Sequence, residues 1–115
     1  MTHVLHVFDS VHAARDSGLL ADAVADLQVF DQAPECVTAA QWAAAACVLV
    51  EADAVDQLVR QHVPRRRRVV VIVHDLDDAS IYARSVAIGA ELVVTLPDGA
   101  HIVAKTIRDA FHPAA

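Results

Sequence analysis

Four stretches at the ends of short apolar runs hold the positions where chemistry could be done: Asp9-Ser10, Glu51-Ala52-Asp53, His74-Asp75 and Thr95-Leu96-Pro97. If the runs are parallel strands, these stretches gather along one edge of a sheet. Carboxylates collected there suit a hard cation held through oxygen. The last stretch brings no charge, because Leu96 is apolar. His74 beside Asp75 could serve acid–base chemistry, but no nucleophile stands at useful spacing; the other reading is a loop histidine with a local hydrogen bond. The remaining histidines (His3, His6, His12, His62, His101 and His112) are scattered. His3 and His6 point to opposite faces of one strand, so they form no chelate, and no metal site is expected.

Glycine spacing excludes other chemistries. Gly18, Gly89 and Gly99 are the only glycines, at least ten residues apart. A P-loop, a GxGxxG dinucleotide turn and a GxSxG elbow are therefore absent as local motifs, and no cofactor is expected. Cys36 and Cys47 lack metal-ligand spacing, and Cys47, opening an apolar run, reads as a small buried hydrophobe. A formal net charge of −6 disfavours a general nucleic-acid binder. Against that balance stands Arg65-Arg66-Arg67-Arg68, either a solvated loop leading into the next strand or a local anchor for an acidic surface. No apolar run approaches the roughly 20 residues of a membrane span, and no charged-then-apolar leader opens the chain, so a cytoplasmic protein is expected.

The elements that must position these residues follow from periodicity. Apolar, β-branched runs at 4–8, 27–30, 47–50, 69–73 and 92–96 predict five buried strands. The run 69–73 does not alternate with polar residues, as expected of a central parallel strand covered on both faces. Between the runs, Leu20, Ala23, Val24 and Leu27 fall at helical spacing. So do Val55, Leu58, Val59 and His62, then Ala83, Val86, Ala87 and Ala90, and finally Val103, Ile107, Ala110 and Phe111. Thr38-Ala39-Ala40-Gln41 has the form of a capping box, with Trp42 just inside, while Asp53 and Asp78 are candidate N-caps. Five β-α units with right-handed crossovers predict a doubly wound, five-stranded parallel sheet of flavodoxin/CheY-like order 2-1-3-4-5 in a three-layer α/β/α domain. That domain spans residues 1–112, with 113–115 a frayed tail.

This arrangement resembles the response-regulator receiver domain over nearly the whole chain, most clearly in Gly89-Ala90-Glu91-Leu92-Val93-Val94-Thr95-Leu96-Pro97. The resemblance implies a phosphoryl acceptor after the third strand, two acids for Mg²⁺ after the first, a hydroxyl after the fourth and a lysine before the last proline. This chain keeps Asp9 but has Ser10 for the second acid. Glu51 stands at the acceptor position, His74 replaces the hydroxyl and Leu96 the lysine. Pro97 remains, and receivers often carry a cis bond before it. Glu51 then reads either as a fixed mimic of a charged switch or as a solvated carboxylate.

A closer resemblance is carried by Thr38-Ala39-Ala40-Gln41-Trp42, the alanines that follow, Cys47-Val48-Leu49-Val50-Glu51, and the stretch from Val86 to Pro97. These are similar to the amino-terminal domain of the actinobacterial CpaE-like, septum-site-determining proteins, relatives of MinD and TadZ. That family joins an atypical receiver to a MinD/ParA-like P-loop ATPase domain. The implied function is a non-catalytic pseudo-receiver that binds protein partners in cell division or in pilus and secretion assembly. The implied partner is the carboxy-terminal ATPase domain of the same protein, with 113–115 starting the linker towards it, or a second copy of the chain. Recruitment to septum or pole would follow. The usual receiver contact face would lie in residues 81–111 and offer Tyr82, Arg84, Lys105 and Arg108. The alternatives are a working phosphoacceptor using Glu51, Asp53 or Asp9, and a small-ligand domain using the strand-end crevice.

Overall fold

A computed structural model of the chain describes residues 3–9, 28–73, 80–96 and 98–111. The expected helix through Leu20 and Leu27, together with Ser10, His12, Gly18, His74, Asp75, Asp78, Pro97 and residues 112–115, lies outside the described residues.

The apolar runs form strands β1 (Val4–Val7), β2 (Val29–Gln32), β3 (Cys47–Glu51), β4 (Val69–Val73) and β5 (Leu92–Thr95). All four pairings are parallel, and the order is β2-β1-β3-β4-β5. The described helices are α1 (Ala39–Ala44), α2 (Val55–Arg60), α3 (Ile81–Ala87) and α4 (Ala100–Phe111). Short 3₁₀ turns at Pro34–Cys36 and Ala52–Ala54 precede α1 and α2. Val69–Val73 is buried at every position, because apolar layers cover both its faces.

Strand pleat sorts the core into two layers. Leu5, Val48, Val50, Val69 and Val71 pack with Trp42 of α1, Leu58 of α2 and Ile81 and Ile88 of the α3 segment. The opposite face carries Val4, Leu49, Val70, Ile72, Val94 and Leu96 against Val103 and Ile107 of α4. Cys47 belongs to this second layer, and burial pushes its thiol up to about 11, against the pull of Arg66 and Arg68.

Several expectations need correcting. Strand β2 lies two residues later than the apolar run 27–30 and includes Asp31 and Gln32. As an edge strand it is covered less completely, so polar residues are tolerated there. The same openness leaves β5 only partly buried, with Leu92 exposed. On α3 the buried positions are Ile81 and Ser85, followed by Ile88, whereas Ala83, Val86 and Ala87 face outward. Alanine and valine fit either face by spacing alone, and the two isoleucines decide it by burying more apolar area. His62 lies beyond α2, exposed, with φ at +54°, and so leaves that helix's stripe. Asp53 does not cap α2, whose N-cap is Ala54 without a side-chain bond.

The capping box is present, with Thr38 Oγ1 accepting from the Gln41 amide and Gln41 Oε1 from the Thr38 amide. Arg66 overturns the view of residues 65–68 as wholly solvated. Its guanidinium reaches beneath α1 and donates to the carbonyls of Trp42 and, at 2.6 Å, Ala45. Burial lowers its pKa from the ordinary arginine value. It caps a helix end whose carbonyls have no partner within the helix.

Candidate functional site

The carboxyl ends of the strands are positioned by chemistry in two loops. Gly89 ends α3 at φ +75°, with its amide bonded to the Val86 carbonyl and the Ala90 amide to that of Ser85. This pairing is the Schellman closure, which requires a left-handed residue. Past β5 the chain turns so tightly that the Gly99 amide donates to the Thr95 carbonyl at 2.6 Å. A Cβ on Gly99 would stand 2.8 Å from the Thr95 carbonyl oxygen and 2.1 Å from Val94 Cγ1, so only glycine fits. These turns fix the register of Leu96, whose amide donates to the Val73 carbonyl at 2.9 Å.

Leu96 is only 4% exposed and faces Val103 and Ile107, as part of the α4 core. Asp9 is exposed, and its amide donates to Asp53 Oδ1 at 3.2 Å, drawing the end of β1 to the turn after β3. Asp9 and Asp53 therefore come together, while Glu51 does not join them in solvent. Its side chain is turned into the sheet and the residue is 2% exposed, which overturns its expected standing as a solvated carboxylate. Ser10, His74 and Pro97 lie outside the described residues, and so does any isomer of the Leu96-Pro97 bond.

The group that Glu51 meets inside the sheet was not visible in sequence. His6 of β1 is buried between two carboxylates. Its Nδ1 donates to Asp31 Oδ1 on β2 at 2.9 Å, and its Nε2 lies 3.5 Å from Glu51 Oε1 on β3. The second distance is an ion-pair separation, longer than a good hydrogen bond. The register His6↔Asp31 and His6↔Leu49 places Glu51 two residues on, hence on the same face. Burial works against a charged imidazole, but the hydrogen bonds and charges of Glu51 and Asp31 outweigh it, so the His6 pKa is raised. Only strand pairing, which spacing along one strand does not reveal, could have exposed this cluster.

The Mg²⁺ implied by receiver resemblance finds a poor donor set. Among the described residues no group of three potential ligands converges. Asp53 already accepts the Asp9 amide, and Glu51 is buried on His6. These residues do not fit the ion.

A second feature lies along β5. Tyr82, Val86, Leu92 and Ile102 are four of the five exposed large apolar residues among those described, and they belong to α3, β5 and α4. Tyr82 and Val86 overhang a shallow groove of about 290 Å³ floored by Ala90, Leu92 and Val93. Of the polar residues expected on this face, Tyr82 lines the groove. Arg84 instead turns to α2 and bonds Asp56 Oδ1 at 3.0 Å. Lys105 pairs along α4 with Asp109 at 3.3 Å, and Arg108 is exposed. Among the described residues, no helix is long and apolar enough to cross a membrane.

Comparison with known proteins agrees with the fold. A family described as the Rv3660c-like, CheY-like N-terminal domain matches residues 10–115. A response regulator receiver protein from Burkholderia phymatum superposes with a TM-score of 0.61 at 14% identity, covering 99% of this chain and 98% of that one. A CheY-like receiver domain from Methanospirillum hungatei gives 0.62 at 13% identity, covering 97% and 95%. A protein described as pilus assembly-related, from Burkholderia pseudomallei, gives 0.58 at 16% identity, covering 100% and 92%. At such identities the likeness establishes the fold alone. No curated protein matches.

Proposed function

The chain belongs to the Rv3660c-like, CheY-like N-terminal domain family, and from that premise we propose a non-catalytic, receiver-shaped docking domain for a protein partner. The observation that carries this reading is the burial of Leu96 in the α4 core, at the position where the receiver pattern has lysine. A phosphoryl group at these strand ends would meet no lysine from β5, and the carboxylate at the acceptor position is withdrawn into the sheet. Incubation with acetyl phosphate and Mg²⁺, followed by intact mass, is expected to leave the mass unchanged. A gain of about 80 Da, one phosphoryl group, would overturn the reading in favour of a working phosphoacceptor.

The docking face is the α3–β5–α4 side, where apolar side chains stand exposed around an open sheet edge. The partner implied by sequence resemblance is a MinD/ParA-like ATPase domain. The cellular role we attach to it, positioning of a septum or of pilus and secretion machinery with recruitment to septum or pole, rests on the resemblance of residues 38–51 and 86–97 alone. Val86 is 63% exposed, so Val86→Glu should spare the fold yet weaken binding of that ATPase domain about tenfold or more. Amide shifts on titration should map to Tyr82, Val86 and Leu92. Binding that perturbs only the Asp9–Asp53 end would reject this face.

A further inference from the structure

We propose that Asp31, His6 and Glu51 form a proton-operated lock that ties the edge strand β2 and the end of β3 to β1. The inference rests on the geometry of three adjacent strands and is independent of the docking reading. His6 bonds Asp31 Oδ1 at 2.9 Å on one side and lies 3.5 Å from Glu51 Oε1 on the other. Its Nε2 is buried and forms no short hydrogen bond, so the ion pair with Glu51 is its polar contact among the described residues. Among the described residues, the charged groups facing it from its neighbours are Asp31 of β2 and Glu51 of β3, and α4 brings the apolar Val103 and Ile107 to this sheet face. Phe8 packs on the ring at 4.9 Å between centroids and adds no charge.

With the imidazole protonated, both nitrogens donate and both carboxylates are compensated. When it loses its proton, one nitrogen becomes an acceptor and the buried Glu51 carboxylate loses a cationic neighbour, which is costly in a low-dielectric interior. The residues freed first would be those that the lock joins, the edge strand β2 and the turn at Ala52–Ala54 that holds Asp9. The sign follows from linkage. The folded-state pKa lies above the ordinary 6.5, so the stabilisation is full below 6.5 and is lost as pH rises through the folded value.

The test combines His6 imidazole titration by proton NMR with thermal unfolding between about pH 5.5 and 8.5. In the wild-type chain His6 should titrate above 6.5, and the melting temperature should fall by a few degrees across the upper half of that range. His6→Gln should flatten this decline, with the other histidines as a common background. Asp31 is exposed, so Asp31→Asn should fold, lower the His6 midpoint and shrink the decline even if the His6 variant is poorly folded. A His6 midpoint at or below 6.5, or equal pH slopes in wild type and variants, overturns the proposal.

Discussion

Trp42→Ala is expected to lower the free energy of unfolding by about 3–5 kcal/mol, the range for deleting a large buried aromatic side chain. Against a total of about 5–15 kcal/mol for a domain of this kind, that loss leaves a marginal fold. Trp42 is fully buried and is the largest such side chain in the layer beneath α1, α2 and α3. Truncation would open a cavity among β-branched neighbours that have few rotamers with which to refill it. The indole also does polar work, because Nε1 donates to the Pro64 carbonyl at 2.7 Å. Two residues on, Arg66 returns the contact by donating to the Trp42 and Ala45 carbonyls. Helix α1 and the loop entering β4 are thus fastened to each other from both sides. Trp42→Phe keeps most of the apolar burial but loses the N–H and part of the second ring, so a smaller loss of about 2 kcal/mol is expected. Because Trp42 is the chain's single tryptophan, urea unfolding must be followed by circular dichroism rather than fluorescence. If the alanine variant unfolded at the wild-type midpoint, α1 would not be part of the cooperative core.

The strands and their order were legible because a central parallel strand such as Val69–Val73 has no solvent face and must be apolar throughout. Edges escaped the same logic. Asp31 and Gln32 extend β2 because their backbone pairs with His6 and Val7, a demand placed on peptide groups and not on side chains. The orientation of α3 was ambiguous for a related reason: Ala83, Val86 and Ala87 mark a stripe by spacing, but Ile81 and Ile88 fill the core. At the candidate site, the sequence located Asp9, Glu51 and Leu96 at strand ends but not the direction Glu51 takes. That direction brings Glu51 to His6, forty-five positions earlier in the chain, through a register that pairs His6 with Leu49. A histidine in an apolar run looks isolated until the neighbouring strands are laid beside it. The arginine run shows the converse, since four identical residues receive different environments and Arg66 alone is drawn under a helix end.

Leu96→Lys tests whether restoring one charge would be enough to give phosphotransfer to the non-catalytic domain we propose, and the expected answer is that it would not. The substitution restores the residue type of the receiver pattern but places it in the layer formed by Val94, Val103 and Ile107. Removing a buried leucine costs about 2–5 kcal/mol in most cores. The lysine stem recovers part of that by packing its methylenes while the ammonium seeks the strand-end surface near the exposed Asp98. A net loss of about 2–4 kcal/mol is therefore expected in urea unfolding. Burial would depress the lysine pKa below its ordinary value near 10.4. Between the folded and unfolded pKa values the unfolded chain binds more protons, so stability rises with pH and the penalty should shrink in alkaline buffer. Even when folded, the variant should gain no mass from acetyl phosphate, because Glu51, 2% exposed in the wild-type chain, stays buried beside His6. A Leu96→Lys chain that is as stable as wild type and takes up one phosphoryl group would reverse this reasoning. It would mean that Leu96 alone silences a site whose acceptor is still within reach. The expected result instead would trace the proposed lack of phosphotransfer to two causes acting together, a core that has claimed the lysine position and the burial of the Glu51 carboxylate beside His6.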